Sequence, residues 1–341
     1  MNRRTLLELA AAIGSLGIGL GHRTSSAAAP SRRNDPHRIP LAMQGASNPT
    51  TGTTDFAYWA GQLNMPVFDN TGNYSILFMC NGIGLQGDWD QFSGDAYTSS
   101  HMPANDDPNL SRYYPLVPLG SHPPADPSDP TLAQAASGSF NANYANAAVQ
   151  FIGTGRSSAV WRLMWEWTSD GYPWSYSWPA QDQANYAANF IGAWQQMRAA
   201  VRSVMPNSGF VWNLNQDFLT ACPIWQDCYP GDDSVDVIGI DTYDQGWMSS
   251  VTDPLARFNQ FSLPGLQAAA QFAAAHGKQF AVCEWGVGEN GDNPVFVRQM
   301  AAFLASCPAP VTYHGYYDVG DFDFQNSPQT LAAFIAAFAR G

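Results

Sequence analysis

Short apolar runs alternate with longer amphipathic stretches along most of this chain. Eight apolar runs are typical of buried β-strands: residues 39–45, 74–80, 116–120, 159–165, 209–213, 235–240, 279–283 and 311–317. Helical periodicity lies between them: residues 55–63, 140–153, 182–205, 255–275, 294–306 and 329–338. Strands that are apolar on both faces and alternate with helices indicate a parallel sheet that is covered on both sides. Eight of them predict an α/β fold, a (β/α)8 TIM barrel in a single domain, with a doubly wound open sheet as the alternative.

The two ends of this pattern define the expected organisation of the chain. Arg3-Arg4, an Ala/Gly/Leu-rich run and three alanines at 27–29 resemble a twin-arginine export signal. We therefore expect residues 1–29 to be a signal, residues 30–38 a flexible lead-in and residues 39–341 the barrel domain of a secreted or periplasmic protein. The polar segment 84–137 is expected to form loops around the second and third strands, either as a wall of a cleft or as a tolerated insertion.

Composition narrows the choice of partners. Acidic residues outnumber basic ones 28 to 15, and charged residues make up only 13% of the chain. The acidic balance disfavours nucleic acid and anionic membranes, whereas 13% aromatic residues favour a neutral polar ligand that binds by stacking. No zinc-type spacing is present, so we expect no metal and no cofactor, and we expect a monomer. Cys222 and Cys228 are close enough in an exported chain to predict a disulfide.

Glutamate is rare and oddly placed. The chain has four, Glu8, Glu166, Glu284 and Glu289, of which the first lies in the expected signal. Glu166 and Glu284 each end an apolar run beside a tryptophan. The ends of barrel strands are where βα loops build active sites, so both carboxyls are candidate catalytic groups.

The surroundings of the two carboxyls suggest different roles. Arg162, Met164 and Glu166 are expected to share the inner face of the strand, and a buried arginine requires an anionic partner. Trp165 and Trp167 are expected to desolvate Glu166 and raise its pKa, which suits an acid/base. Arg162 and a tyrosine hydroxyl are expected to lower the pKa of Glu284, which suits a nucleophile. Two carboxyls about 5–5.5 Å apart would hydrolyse a glycoside with retention.

The same residues carry a family resemblance. Residues 162–174, Arg-Leu-Met-Trp-Glu-Trp-Thr-Ser-Asp-Gly-Tyr-Pro-Trp, resemble the acid/base segment of glycoside hydrolase family 26. Residues 210–215, 229–243 and 278–286 are similar to that family's fifth, sixth and seventh strands, in the same order. The resemblance covers about residues 159–290, and it implies a retaining (β/α)8 glycosidase with a glutamate on strands four and seven.

The resemblance also implies contacts around the two glutamates. Arg162 would orient the nucleophile and Tyr243 would donate a hydrogen bond to it. Four residues are expected to line sugar subsites, with Tyr316 as an alternative to the last two: Trp174, Trp285, His314 and Tyr317. Asn213, together with Asn215, either contacts sugar hydroxyls or caps the strand end.

Two departures leave the substrate open. Trp165, which we also expect to contact substrate, stands where mannan-acting members carry a histidine. Thr168-Ser169 stands where an Asn-Gly pair is common. The substrate is therefore β-mannan, a 1,3/1,4-glucan, a xylan or a bacterial exopolysaccharide, and cleavage is expected to be endo-acting. The alternative function is a non-catalytic carbohydrate-binding barrel. A serine esterase is set aside because the chain lacks the Gly-x-Ser-x-Gly motif.

Overall fold

The computed structural model describes residues 34–69, 80–83, 131–153, 160–169, 174–178 and 181–341. The expected signal and the predicted strand at 116–120 lie outside these residues. Eight strands are described: Leu41–Gln44 (β1), Val67–Asp69 (β2), Cys80–Ile83 (β3), Val160–Leu163 (β4), Gly209–Asn215 (β5), Val237–Asp244 (β6), Gln279–Val287 (β7) and Val311–Tyr317 (β8).

All paired strands run parallel, in the order β2-β1-β8-β7-β6-β5-β4-β3. The first strand pairs with the last, from Leu41 beside His314 to Gln44 beside Tyr317. Neighbours that follow the chain order around the sheet are typical of a barrel, whereas a doubly wound sheet reverses its order part-way. The α/β barrel-like class is therefore confirmed, and a complete (β/α)8 barrel stays a prediction.

The second and third strands differ from their predicted positions. The second is Val67–Asp69, which the sequence did not suggest because three residues after a proline are too short to show a pattern. The third begins at Cys80, where the predicted 74–80 run ended. The other six predicted strands overlap observed ones, although β6 and β7 extend to Asp244 and Val287.

Nine α-helices are described: Phe56–Leu63 (α1), Leu132–Ala136 (α2), Asn141–Gly153 (α3), Tyr186–Val204 (α4), Phe218–Ala221 (α5), Pro254–Arg257 (α6), Leu263–Ala275 (α7), Pro294–Ser306 (α8) and Pro328–Phe338 (α9). Side-chain caps explain several starts. Asp55 accepts a hydrogen bond from the Tyr58 N–H, and Asn293 caps α8 ahead of a proline in its first turn. A π turn, Phe258–Ser262, joins α6 to α7. The short helix α2 begins with a capping box at Thr131, inside the segment we expected to be loop.

The hydrophobic core lies between the outer face of the sheet and the helices. Trp212 of β5 contacts Phe272 of α7, and Trp285 of β7 stacks on Phe296 of α8. Since side chains alternate along a strand, the residues next to each of these outward-facing tryptophans point to the inner face of the sheet. Polar side chains lie there, among them Asn213 of β5 and Asp241 of β6, both buried.

The predicted disulfide is wrong. Cys222 and Cys228 are both unoxidised and fully buried, where they pack in the apolar core. Burial raises the pKa of Cys222 to about 12 and also raises that of Cys228, so both sulfurs are neutral thiols that pack like small apolar side chains.

None of the helices in the described ranges is long and apolar enough to cross a membrane.

Candidate active site

A buried arginine lies on the inner face of the sheet. The side chain of Arg162, on β4, is 4% exposed and its guanidinium meets three strands. Its Nε donates to Asn213 Oδ1 at 2.5 Å, and its two terminal nitrogens donate to Glu284 Oε1 and Asp241 Oδ2. Ion pairs with two carboxylates offset the cost of burying the guanidinium, and three directed donors hold it in one orientation.

Glu284 is held by donors on both oxygens. Arg162 donates to Oε1, and the Tyr243 hydroxyl donates to Oε2 at 2.5 Å. Burial, followed by the Glu284 carboxylate itself, raises the pKa of Tyr243, so the phenol keeps its proton and remains a donor. These contacts agree with those that the resemblance implied for Arg162 and Tyr243.

Asp241 is a member of this cluster that sequence reasoning did not single out. It is fully buried on β6 and pairs with Arg162. Burial raises its pKa, with further upward contributions from Glu284 and Glu166, while Arg162 opposes them. The missed signal is its spacing, because Asp241 lies two residues before Tyr243 and the pleat places both on the inner face.

Glu166 reaches the site from a turn and not from the strand. β4 ends at Leu163, and the backbone then adopts left-handed conformations at Met164, with φ 47°, and at Glu166, with φ 50°. The expectation that Met164 and Glu166 continue the inner face of β4 is therefore wrong: Met164 packs in the hydrophobic core. Left-handed non-glycine residues are costly and concentrate at functional sites.

The end of β5 supports this turn. Asn215 Nδ2 donates to Glu166 Oε1 at 2.9 Å, and the Asn215 N–H donates to Thr168 Oγ1 at 2.9 Å. Thr168, one of the two departures from the family pattern, thus fastens the turn to β5. Asn213 has a different task from either predicted one, because its amide is engaged by Arg162 Nε and by the Leu214 carbonyl.

Tyr317, on β8, faces the same space as the two glutamates. Its ring meets that of Tyr243 edge-on, with centroids 5.8 Å apart. Burial raises the pKa of Tyr317 to about 12, and the carboxylates of Glu284 and Glu166 both contribute. Tyr317 therefore lies beside the phenol that contacts Glu284, which brings the ends of β6, β7 and β8 together at one site.

The tryptophans differ in how they meet this site. Trp165 is half-buried, and its ring packs on Trp174 with centroids 4.7 Å apart. Trp174 itself is only 2% exposed, and its Nε1 donates to the Trp165 carbonyl at 2.8 Å. Trp174 thus packs against Trp165 and exposes no ring face to a ligand, contrary to the expectation that it contacts a sugar.

Trp285 and His314 do not face the site. Both are fully buried on the outer side of the sheet, where Trp285 Nε1 donates to His314 Nδ1 at 3.1 Å and both rings contact Phe338 of α9. Their assignment to sugar subsites is wrong. The alternation of the strands predicts this result, since Trp285 follows Glu284 directly and must point to the opposite face. Tyr316, the alternative on β8, is also buried outward, stacked on Phe324.

Within the described ranges, no group of three or more His, Cys, Asp or Glu side chains is arranged to hold a metal ion.

The sequence and the fold give different results when they are compared with known proteins. The sequence matches no protein-family model, and no curated protein matches it. Solved structures do match. An endo-β-1,4-mannanase of Cellulomonas fimi superposes with a TM-score of 0.53 at 17% identity, over 89% of this chain and 74% of that one. The Bacillus subtilis mannanase BCman superposes with a TM-score of 0.50 at 13% identity, over 89% and 86% of the two chains.

The fold resembles that of β-mannanases. A family 26 β-mannanase from Bacteroides ovatus is a further match, with a TM-score of 0.47 at 12% identity over 90% of this chain and 88% of that one. The predicted resemblance to β-mannanases is confirmed by the matches to the Cellulomonas fimi and Bacillus subtilis enzymes. At such low identity the likeness concerns the fold alone.

Proposed function

We propose that the protein is a retaining glycoside hydrolase with Glu284 as nucleophile and Glu166 as acid/base. Its substrate is a β-linked polysaccharide of the mannan type, which it cleaves at internal linkages. The observation that carries this proposal is the pair of donors on Glu284. Arg162 supplies the counter-charge for a partly buried anionic nucleophile, and Tyr243 fixes the second oxygen. The mannanase folds support the substrate class.

In the first step, a carboxylate oxygen of Glu284 attacks the anomeric carbon. A covalent bond forms between them while the bond from that carbon to the glycosidic oxygen breaks. Glu166 gives its proton to the departing oxygen, so the leaving chain departs as a neutral alcohol. Because Arg162 also pairs with Asp241, its positive charge remains compensated when Glu284 becomes an ester.

In the second step, Glu166 acts in the reverse sense. Now anionic, it takes a proton from a water molecule, whose oxygen attacks the anomeric carbon and displaces Glu284. Two inversions return the original configuration. Asn215, which donates to Glu166 Oε1, keeps the carboxyl in place for both proton transfers.

The nucleophile assignment is tested with Glu284→Ala. We expect turnover of galactomannan to fall by at least roughly 10⁴-fold while the protein still binds the polymer. Added azide should restore activity and give a glycosyl azide of inverted configuration. Asp227→Asn, which removes an exposed carboxylate outside the site, is the matched control and should keep full activity. Normal turnover by Glu284→Ala would exclude its role.

The acid/base assignment is tested with Glu166→Ala on substrates that differ in their leaving group. We expect a loss of about 10²–10⁴-fold on galactomannan and a much smaller loss on an aryl glycoside whose phenolate leaves without protonation. An equal loss on both substrates would contradict an acid role. NMR of the first anomer released should show retention, and inversion would reject the double displacement.

A non-catalytic carbohydrate-binding barrel is the second candidate. Trp165, which is half-buried and precedes Glu166 in the chain, would serve a binder as well as an enzyme. The wild type decides between them on a panel of galactomannan, β-1,3/1,4-glucan and xylan, since binding without product formation supports the binder.

We also propose export through residues 1–29, and sequencing the N-terminus of the protein recovered outside the cytoplasm tests it.

A further inference from the structure

An exposed tryptophan stands on the loop that follows β6. Trp247 belongs to the turn Gly246–Ser250, which begins two residues after β6 ends at Asp244. This is the same end of the sheet at which Tyr243 meets Glu284. Trp247 is 53% exposed, and it is the one aromatic among the large apolar side chains that are exposed in the described residues.

The indole is held in a defined position despite its exposure. Its Nε1 donates to Gln245 Oε1, and its ring meets Phe261 edge-on with centroids 5.2 Å apart. The turn is anchored below by Met248, which is fully buried. A fixed ring loses little further freedom when a ligand stacks on it, so the entropic cost of binding is low.

A chain of amides connects this ring to the catalytic cluster. Gln216 Nε2 donates to Gln245 Oε1 at 3.1 Å. The Oε1 of Gln216 in turn accepts from the Tyr243 N–H at 2.9 Å and from the Thr242 hydroxyl at 2.8 Å. The position of Trp247 is thereby set relative to Tyr243, which contacts the nucleophile.

The loop after β7 braces the turn from the other side. Glu289 Oε2 accepts from the Gly246 N–H at 2.6 Å, and Asn290 Nδ2 donates to the Gln245 carbonyl at 2.6 Å. Both contacts hold the peptide group that joins Gln245 to Gly246. The carboxylate of Glu289 and the chain's net charge of −13 disfavour an anionic ligand. A neutral ring with an apolar face is the ligand that fits.

We propose that Trp247 forms a distal subsite that binds one neutral pyranose ring of a polysaccharide by stacking on its C–H face. This inference rests on the proposed glycosidase function. The ring that is bound belongs to a part of the polysaccharide beyond the cleavage point, because Trp247 is held by Gln245 and Phe261, on the loop that follows β6. Short substrates do not reach it, so the subsite selects for polymer.

The test compares Trp247→Ala with the wild type on two substrates, soluble galactomannan and 2,4-dinitrophenyl β-1,4-mannobioside. We expect the ratio of kcat/KM on polymer to kcat/KM on the aryl glycoside to fall roughly tenfold, mainly through KM for the polymer. Trp247→Phe, which keeps a ring, should recover part of the ratio. Leu255→Ala removes another exposed apolar side chain and should leave the ratio unchanged. If the wild type hydrolyses β-1,3/1,4-glucan instead, this glucan and the aryl cellobioside replace the pair.

The outcomes separate the subsite from the proposed function. An active wild type whose ratio does not change in Trp247→Ala overturns the subsite and leaves the glycosidase intact. If the wild type is inactive, titration calorimetry with β-1,4-mannohexaose decides: weaker binding by Trp247→Ala supports the subsite, and equal or absent binding overturns it. A change in sedimentation with an unchanged ratio also overturns it, because Trp247 then joins two copies of the chain.

Discussion

Tyr243 is the side chain through which the neighbours of the nucleophile are linked. Its hydroxyl donates to Glu284, its ring meets Tyr317, and its backbone N–H is held by Gln216. A single residue therefore connects the Glu284 carboxylate, the Tyr317 ring and the loop after β5. Removing only its oxygen isolates the first of these contacts.

We expect Tyr243→Phe to lower kcat about 10–100-fold with little change in thermal stability, because one donor to the reacting carboxylate is lost. Tyr313→Phe is the matched control. Tyr313 is also buried inside the barrel, but its hydroxyl donates to the Cys283 sulfur at 3.2 Å. Steady-state kinetics of the two variants test the role, and similar losses in both would indicate a general effect of removing a buried hydroxyl.

At the scale of single residues, the sequence predicted which charged groups pair with each other. It did not predict toward which face of the sheet a side chain points. Arg162 was expected to have an anionic partner because a buried guanidinium requires one, and it pairs with Glu284. Trp285 and His314 were placed in the site because of their residue types, yet the pleat directs them outward. Asp241 was missed because its residue type alone does not show that the pleat places it on the inner face together with Tyr243. The turn at Glu166 was not predictable, since no glycine marks its two left-handed residues.

Close packing between elements keeps Gln216 in place. Gly265, near the start of α7, lies so near the loop after β5 that a Cβ there would be 2.4 Å from the Gln216 carbonyl oxygen. A backbone oxygen cannot swing aside as a flexible side chain can. The glycine is therefore required by the contact between α7 and this loop.

Gly265→Ala should destabilise the protein by about 1–3 kcal/mol and lower activity, because Gln216 and with it Tyr243 must shift. Gly61→Ala offers a control of opposite sign. Gly61 lies within α1 with no atom within 4 Å of its added Cβ, so alanine should stabilise the helix by about 0.5–1 kcal/mol. Urea unfolding measures both changes, and a stabilised Gly265→Ala would refute the contact.

Among elements, the long helices were predictable, whereas the short helices α2 and α5 were not. Asp55, Pro294 and the long periodic runs define boundaries within a few residues of those observed. Strands were predictable where the apolar run was long. β2 was missed because it has three residues, and the extension of β6 and β7 was missed because polar residues of the site interrupt their apolar pattern.

At the scale of the whole molecule, the layer between sheet and helices contains one titratable ring that affects acid stability. Burial lowers the pKa of His314 from 6.5 to about 3, so the folded protein keeps the imidazole neutral. Below pH about 6.5, the unfolded chain binds a proton that the folded protein does not. The stability of the fold therefore decreases as the pH falls from about 6.5 towards 3.

His314→Asn keeps an acceptor for Trp285 Nε1 and removes this titration. We expect the variant to be less stable than the wild type at pH 7, and the difference to shrink by a few kcal/mol towards pH 4, because one pKa unit corresponds to about 1.4 kcal/mol. Asp318, whose pKa burial raises to about 7, has the opposite slope and is common to both proteins. Parallel curves for the free energy of unfolding against pH would contradict the role of His314.

The buried thiols provide a way to observe which part of the barrel opens first. Cys222 and Cys228 flank the turn between β5 and β6, and Cys307 ends α8 ahead of β8. Each is protected by burial and by a raised pKa, so iodoacetamide can modify it only after its own region has opened. Pulsed alkylation followed by peptide mass mapping would therefore report two separate opening free energies from native residues, without any introduced label.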